Sequence, residues 1–389
     1  MPQDSAKIDV VVIASGSNGL GAVRSLHQKS LRVAVICDGP HDESLHSHIP
    51  VIKRTMNCEA VQADREQALL ASLREFEPQH PVLIPTADWM ITVLQTHAQY
   101  IEQHFKVCLP DPALSEILID KAKEVKRVAE AIHVPKTLTQ LPASPQAFQE
   151  QLSLPVIVKP RSHQHYVLNA KNVRLMTSQD VEAFYREFGN VLDSVLAQEL
   201  IPGPDSAQWV CNCFFDSNSE LVDAMTFNRL GLAPPHFGVT SYAVSAYNKD
   251  VIELSARLGK YLNYVGPAMV EFKFDERDGT YKYIELNPRI GMCNFFDTRC
   301  GVNNVYYTYR QARGEPLQKS SEMKSGLIYV DLWDDFYSRK IDGVGYSAIF
   351  RMYLKDLGKK HVFSHFVWYD PIPAFYRWIR VFKSLLKLK

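Results

Sequence analysis

The chain has 389 residues, 46% hydrophobic and 22% charged, with 43 basic and 43 acidic side chains. This is an ordinary globular composition, long enough for two or three packed units, and zero net charge gives no overall field for a nucleic-acid partner. No apolar run reaches transmembrane length, the seven cysteines form no Cys-x-x-Cys pair and the polar start lacks a secretory pattern, so reduced thiols and a cytoplasmic setting are expected.

Residues 8–14 are a continuous β-branched run, the pattern of a strand buried on both faces. A turn, Ser15-Gly16-Ser17-Asn18-Gly19-Leu20-Gly21, leads into a helix through His27. Strands at 31–37 and 82–85, with a helix near 65–76, complete an alternation that predicts a small doubly wound sheet over residues 1–112. The glycines at 16, 19 and 21 do not match the dinucleotide fingerprint. The turn is therefore read as structural or, alternatively, as a contact for a carboxylate or acyl phosphate at a helix N-terminus. Pro85-Thr86-Ala87-Asp88 is read as a ligand loop or a helix N-cap.

Pro110-Asp111-Pro112 is turn chemistry and marks a boundary. A helix starts at Asp120-Lys121 and runs to about residue 132. Residues 154–160 form an apolar strand that ends in Lys159 before a proline; an ammonium there needs an anionic partner, which a phosphate would supply. Arg161, His163, His165 and Lys171 follow as further phosphate candidates. Residues 196–205 leave another strand, and strands are predicted at 209–216 and 220–227. The Pro- and Gly-rich stretch beyond carries Arg229, a candidate bidentate clamp for a carboxylate, and His236, read as a packing residue or as a base. A helix follows at 250–262.

Residues 268–274 and 280–289 form a hairpin with period-two alternation in both arms. Val270, Phe272 and Phe274 are assigned to one face with Lys282, Ile284 and Leu286. Glu271, Lys273, Tyr281, Tyr283, Glu285 and Asn287 are assigned to the other. A three-residue loop, Arg277-Asp278-Gly279, would pair Glu271 with Glu285. Opposed carboxylates repel, so the face is read as holding a divalent cation between them, with Asn287 as a further oxygen ligand and Arg289 as a cation alongside, or alternatively as an ordinary solvated face. In residues 316–389 a strand is predicted at 326–333. The last helix, 374–389, sets Phe375, Trp378, Ile379 and Phe382 against Arg377, Arg380, Lys383, Lys387 and Lys389. Such a basic amphipathic helix suits an anionic membrane surface or, alternatively, docks on the protein's own core.

The string Glu271-Phe272-Lys273…Glu285-Leu286-Asn287-Pro288-Arg289-Ile290-Gly291 resembles the metal-binding hairpin of the ATP-grasp superfamily. It is closest in style to carboxylate–amine ligases of the D-aspartate ligase type and to carbamoyl-phosphate-synthase-like ATP-grasp domains. Asp120-Lys121 resembles the start of that family's lid, Lys159 its second phosphate lysine, and residues 196–205 its hinge, so the likeness spans about residues 8–310 in family order.

The resemblance implies a mixed α/β and α+β chain. A Rossmann-like domain (1–112) precedes an ATP-grasp lid (113–196) and core (197–315), then a C-terminal extension (316–389) ending in the amphipathic helix. It implies ATP between lid and core, with Lys121 and Lys159 on phosphates, Gln198, Glu199, Leu200 and Ile201 at the adenine, and Asp205 on the ribose. It implies Mg²⁺, or alternatively Mn²⁺, on Glu271, Glu285 and Asn287, with Arg289, Lys159 and Arg229 as catalytic cations. The implied reaction joins a small-molecule carboxylate to an amine through an acyl phosphate, on an amino acid or cell-envelope precursor. ATP-dependent carboxylation and a non-catalytic nucleotide-binding module at a membrane stand as alternatives, and an oligomer is left open. The chain departs from the family where a Gly- and Ser-rich phosphate loop would follow Lys159: here it reads Arg161-Ser162-His163-Gln164-His165-Tyr166.

Overall fold

The computed structural model describes residues 7–56, 62–162, 167–168, 170–319 and 322–385. The β-branched run becomes Val10–Ala14, buried throughout and paired in parallel with Val33–Cys37 and Val82–Pro85. Ile52–Thr55 and Lys106–Val107 complete the edges of a five-stranded parallel sheet. The helix Gly16–His27 crosses this sheet so closely that a Cβ on Gly19 would lie 2.3 Å from that of Ala14, which only glycine permits. Its first turn is satisfied from within the chain. Asp42 accepts from the Gly16 amide at 2.6 Å and Thr86 from the Ser15 amide at 2.9 Å. Within the protein, Asp42 thus supplies the acceptor at this helix end.

A four-stranded antiparallel sheet follows, in the order Thr137–Leu138, Val195–Glu199, Val156–Pro160, Val173–Leu175. Phe148 and Phe184, on the helices Pro145–Gln151 and Ser178–Phe188, pack its covered face. The largest sheet has seven strands, in the order Thr280–Asn287, Gly266–Asp275, Gln208–Phe215, Leu221–Ala233, Val239–Ser245, Ile328–Val330, His361–Phe363. Helix Lys249–Leu262 lies against it where Gly259 leaves room for the Phe215 ring. Two of the seven strands come from the segment after residue 316. The strand predicted at 326–333 shortens to Ile328–Val330 because Asp331 accepts from the Asp334 amide and caps the helix Leu332–Ile341.

Two expectations are corrected in this sheet. Leu221–Ala233 continues six residues beyond the predicted end at 227, so Arg229 sits in a strand rather than in a loop. The hairpin does oppose Glu271 to Glu285, but by another route. Asp275 pairs with Thr280, so the turn holds four residues, and a bulge between Glu271 and Phe272 in the ladder restores the register. Below the bulge Phe272 faces Tyr283. Tyr283 thus joins the core with Val270 and Leu286, and Tyr281 packs against it, whereas Ile284 turns outward to the cleft. Lys282 lies opposite Lys273, so alternation carried unbroken through Ile284 assigns Tyr281, Lys282, Tyr283 and Ile284 to the wrong sides.

Glu124 holds the bulge in place. It lies on the buried side of the helix Lys121–Val128, accepts a hydrogen bond from the Tyr283 hydroxyl and accepts the Leu286 amide at 3.2 Å. Burial, then the nearby Glu285, raises its pKa to about 7. Because this folded value lies above the unfolded one, ionisation of the unfolded chain erodes stability as pH rises from about 4.5 to about 7, by roughly 3 kcal/mol in all. Glu124→Gln keeps the acceptor and removes the titration. The melting temperature of the variant relative to the parent should therefore climb across that interval and level off above it; a pH-independent difference would show that Glu124 does not titrate in this range.

Candidate active site

The four-stranded and seven-stranded sheets face each other across a cleft of about 810 Å³, the size of a nucleotide or drug-sized ligand site. Asp120 caps the helix Lys121–Val128 through the Ala122 and Lys123 amides and pairs with Arg161 at 3.0 Å, so Lys121 leaves the first turn at a fixed point. Its ammonium lies 3.6 Å from Glu285. Lys159, at the end of the strand Val156–Pro160, donates to the Gln198 side chain at 2.9 Å, and Gln198 in turn donates to Thr137 at 3.0 Å. Within the protein Lys159 thus has a neutral hydrogen-bond partner. Desolvation, then the neighbouring Lys121 cation, lowers its pKa to about 8.

Glu271 and Glu285 each have a cation of their own. Arg229 reaches across the strand Gln208–Phe215 and grips Glu271 with both arms, at 2.6 and 2.7 Å, while its Nε donates to Thr240 at 2.9 Å. The guanidinium and the carboxylate are both largely buried. The bidentate clamp expected for a substrate carboxylate therefore holds a protein carboxylate. Charge repulsion between the two glutamates is balanced by Arg229 and Lys121, and the repulsion by itself does not call for a metal.

Asn287 is buried beside this pair and accepts from Arg289 at 3.2 Å. Arg289 is anchored at 2.9 Å by Asp88, the first residue of the helix Asp88–Thr96, which ties the five-stranded unit to the hairpin. Asp88 is thus the first helical residue rather than the N-cap, and it lines the cleft. At the hinge, the Glu199 and Leu200 amides are taken up by Lys136 and Pro155 carbonyls, and the Glu199 carboxylate by the Lys136 amide and Arg277. Leu200 and Ile201 line the cleft. Asp205 lines it too and meets His236 at 3.1 Å; the other imidazole nitrogen lies 3.1 Å from Asp342. The hydrogen bond with Asp205 raises the His236 pKa, which suits an ion-pair bridge better than a free base. Lys171 lines the cleft, and the lid-loop candidates His163 and His165 lie outside the described residues.

The described residues contain no cluster of three His, Cys, Asp or Glu side chains able to hold a metal. Two carboxylates and an amide are nevertheless a fitting oxygen set for Mg²⁺, which completes its shell with waters and phosphates. Two lysines on the lid side of the same cleft fit the phosphates. Glu124, Asp88 and Thr137 each meet a site residue through tertiary packing alone, so no local pattern marks them as its partners.

No protein-family model matches the chain. Comparison with solved structures finds the same fold in the biotin carboxylase domain of Hydrogenobacter thermophilus 2-oxoglutarate carboxylase, determined with MgADP, ADP and bicarbonate: TM-score 0.65, 15% identity, covering 83% of this chain and 73% of that one. An L-amino acid ligase from Bacillus licheniformis gives TM-score 0.58 and 15% identity, covering 80% of this chain and 75% of that one. This chain shares the fold of both. In sequence, the chain is similar to the D-aspartate ligase of Enterococcus faecium (strain Aus0004), 26% identical over 238 residues. That match takes in 57% of this chain and 56% of the relative, so it spans little more than half the length of either.

The lowered Lys159 pKa gives a direct test of the phosphate assignment. The ammonium is the form that holds phosphate, so affinity for ADP should be flat up to about pH 7 and fall about tenfold between pH 7 and pH 9. Lys159→Met should bind ADP weakly with no such pH dependence. Isothermal titration across the range checks it; a parent profile unchanged up to pH 9.5 would remove Lys159 from the phosphates.

Proposed function

We propose that the chain is an ATP-dependent carboxylate–amine ligase whose acid or amine substrate is an amino acid or a cell-envelope precursor that carries one. The observation that carries this reading is the convergence of Lys121, Lys159, Glu271, Glu285 and Asn287 on one cleft between two sheets. The likeness to D-aspartate ligase and to L-amino acid ligase supports the substrate class.

In this reading Lys121 and Lys159 hold the nucleotide phosphates, Leu200 and Ile201 flank the adenine with Gln198 and Glu199, and Asp205 takes the ribose. Glu271, Glu285 and Asn287 would hold Mg²⁺, which neutralises phosphate charge when bound. Arg229 fixes the Glu271 carboxylate in direction. Gln198 orients the Lys159 ammonium without neutralising it, so its full charge remains for the transferring phosphoryl group. Arg289, held by Asp88, places a further cation at the far side of the metal ligands. A substrate carboxylate oxygen attacks the terminal phosphorus of ATP and ADP departs. The amine nitrogen then attacks the acyl carbon, inorganic phosphate leaves, and the amine proton passes to solvent. No covalent protein nucleophile is required.

The test is an ADP-release screen over amino acids, D-aspartate first, with Mg²⁺ and with hydroxylamine as a surrogate amine. The expected result is ADP release together with a hydroxamate for one class of acid, and a loss of about a hundredfold or more in Glu285→Gln with unchanged circular dichroism. ADP release with bicarbonate alone would instead indicate carboxylation. Nucleotide binding without turnover on any acid would indicate a regulatory module.

A further inference from the structure

The final seventy residues present an unusual surface. Of the eighteen large hydrophobic side chains exposed among the described residues, fourteen lie between Leu332 and Phe382. They are ordered by helix. On the helix Tyr346–Asp356, Tyr346, Phe350 and Leu354 recur every fourth residue on one side and are exposed. On the helix Ile372–Leu385, Phe375, Ile379 and Phe382 recur at steps of four and three on one side and are exposed, with Trp378 beside them. Between the two helices Trp368 is 89% exposed. An exposed apolar stripe on a surface helix, rimmed by polar residues, marks an interaction site.

The last helix also sits the other way round from a core-docked amphipathic helix. Arg377 turns inward, grips Asp334 at 2.9 Å and reaches Glu43 at 3.4 Å; Arg380 donates to the His41 carbonyl at 3.0 Å. The polar side anchors the helix and the apolar stripe faces outward. Charge around the patch has one sign. Residues 343–389 carry nine Lys and Arg against two acids, on a chain whose net charge is zero. Both acids are engaged by the protein: Asp370 is buried against Arg24, and Asp356 accepts from Tyr242 and pairs with Lys359. Arg351, Lys355, Lys360 and Lys383 are exposed around the hydrophobic side chains.

We infer that the helices Tyr346–Asp356 and Ile372–Leu385, with Trp368, form a docking surface for an anionic lipid bilayer. Apolar and aromatic side chains enter the headgroup boundary and the surrounding Lys and Arg meet lipid phosphates, as in interfacial helices. No helix among the described residues is long and apolar enough to cross a membrane, so contact is made from one side. The inference is independent of the ligase reading and extends well beyond the last helix.

The experiment is sedimentation of the full chain with vesicles of phosphatidylcholine alone or with about 30 mol% phosphatidylglycerol. Binding to the anionic vesicles should be at least about tenfold tighter and should fall steeply from about 0.1 M to 0.5 M salt. Phe350→Ser/Leu354→Ser and Phe375→Ser/Phe382→Ser should each lose about tenfold or more while keeping the parent's melting curve and ADP affinity. Should a serine variant fail to fold, Lys355→Gln/Lys360→Gln/Lys383→Gln reads the same surface through its charge and should also weaken binding. Absence of anionic-vesicle binding, or binding untouched by every variant that folds, overturns the inference. So does a lipid-free dimer in sedimentation velocity that the serine variants dissolve, because the face then belongs to a second copy of the chain.

Discussion

The hairpin Gly266–Asp275 and Thr280–Asn287 opposes two carboxylates on adjacent strands, and the rest of the structure is arranged to make that tolerable. Two ionised carboxylates this close destabilise a sheet unless each is compensated. Arg229 compensates Glu271 from two strands away and Lys121 compensates Glu285 from the start of a helix. Removing either cation would leave an uncompensated charge in a half-buried site, a change that typically costs several kcal/mol. The site is therefore an electrostatic balance before any ligand arrives, and nucleotide phosphates and a metal would enter a position whose charges are already paired and oriented.

Ties to this hairpin and to the residues just after it come from separate units, and the four-stranded sheet brings a lysine to the same cleft. The five-stranded unit supplies Asp88 to Arg289, and Asn18 bonds the Ile290 carbonyl from the helix Gly16–His27. The helix Lys121–Val128 supplies Glu124, which sets the bulge, and Lys121, which reaches the carboxylate. The four-stranded sheet supplies Lys159, held by Gln198 and Thr137. Because these ties come from segments far apart in the chain, the site assembles only when the units are folded against one another.

The parts legible in the sequence are those set by local pattern. Period-two alternation located the hairpin, the β-branched run located the first buried strand, and a lysine ending an apolar strand marked Lys159. The opposition of Glu271 and Glu285 was legible, but the loop that produces it was not. A bulge is a slip of one residue, and this one is stabilised by Glu124, which lies 159 residues from Tyr283 in sequence. The role of Arg229 was hidden for a related reason. Its partner is on a strand two places away in a sheet whose order does not follow the chain, so nothing near Arg229 in sequence indicates that its fork is already occupied. In the last helix the apolar stripe was legible, whereas the direction it faces depends on an acidic strip formed by Glu43 and Asp334, from opposite ends of the chain.

The measurement that bears most directly on this account is an anomalous difference map from crystals grown with Mn²⁺ and ADP. The account places the manganese peak within coordination distance of Glu271, Glu285 and Asn287, with the nucleotide's phosphates between it and Lys159. A peak bound elsewhere, or nucleotide in the cleft with Glu271 and Glu285 still held only by Arg229 and Lys121, would contradict it.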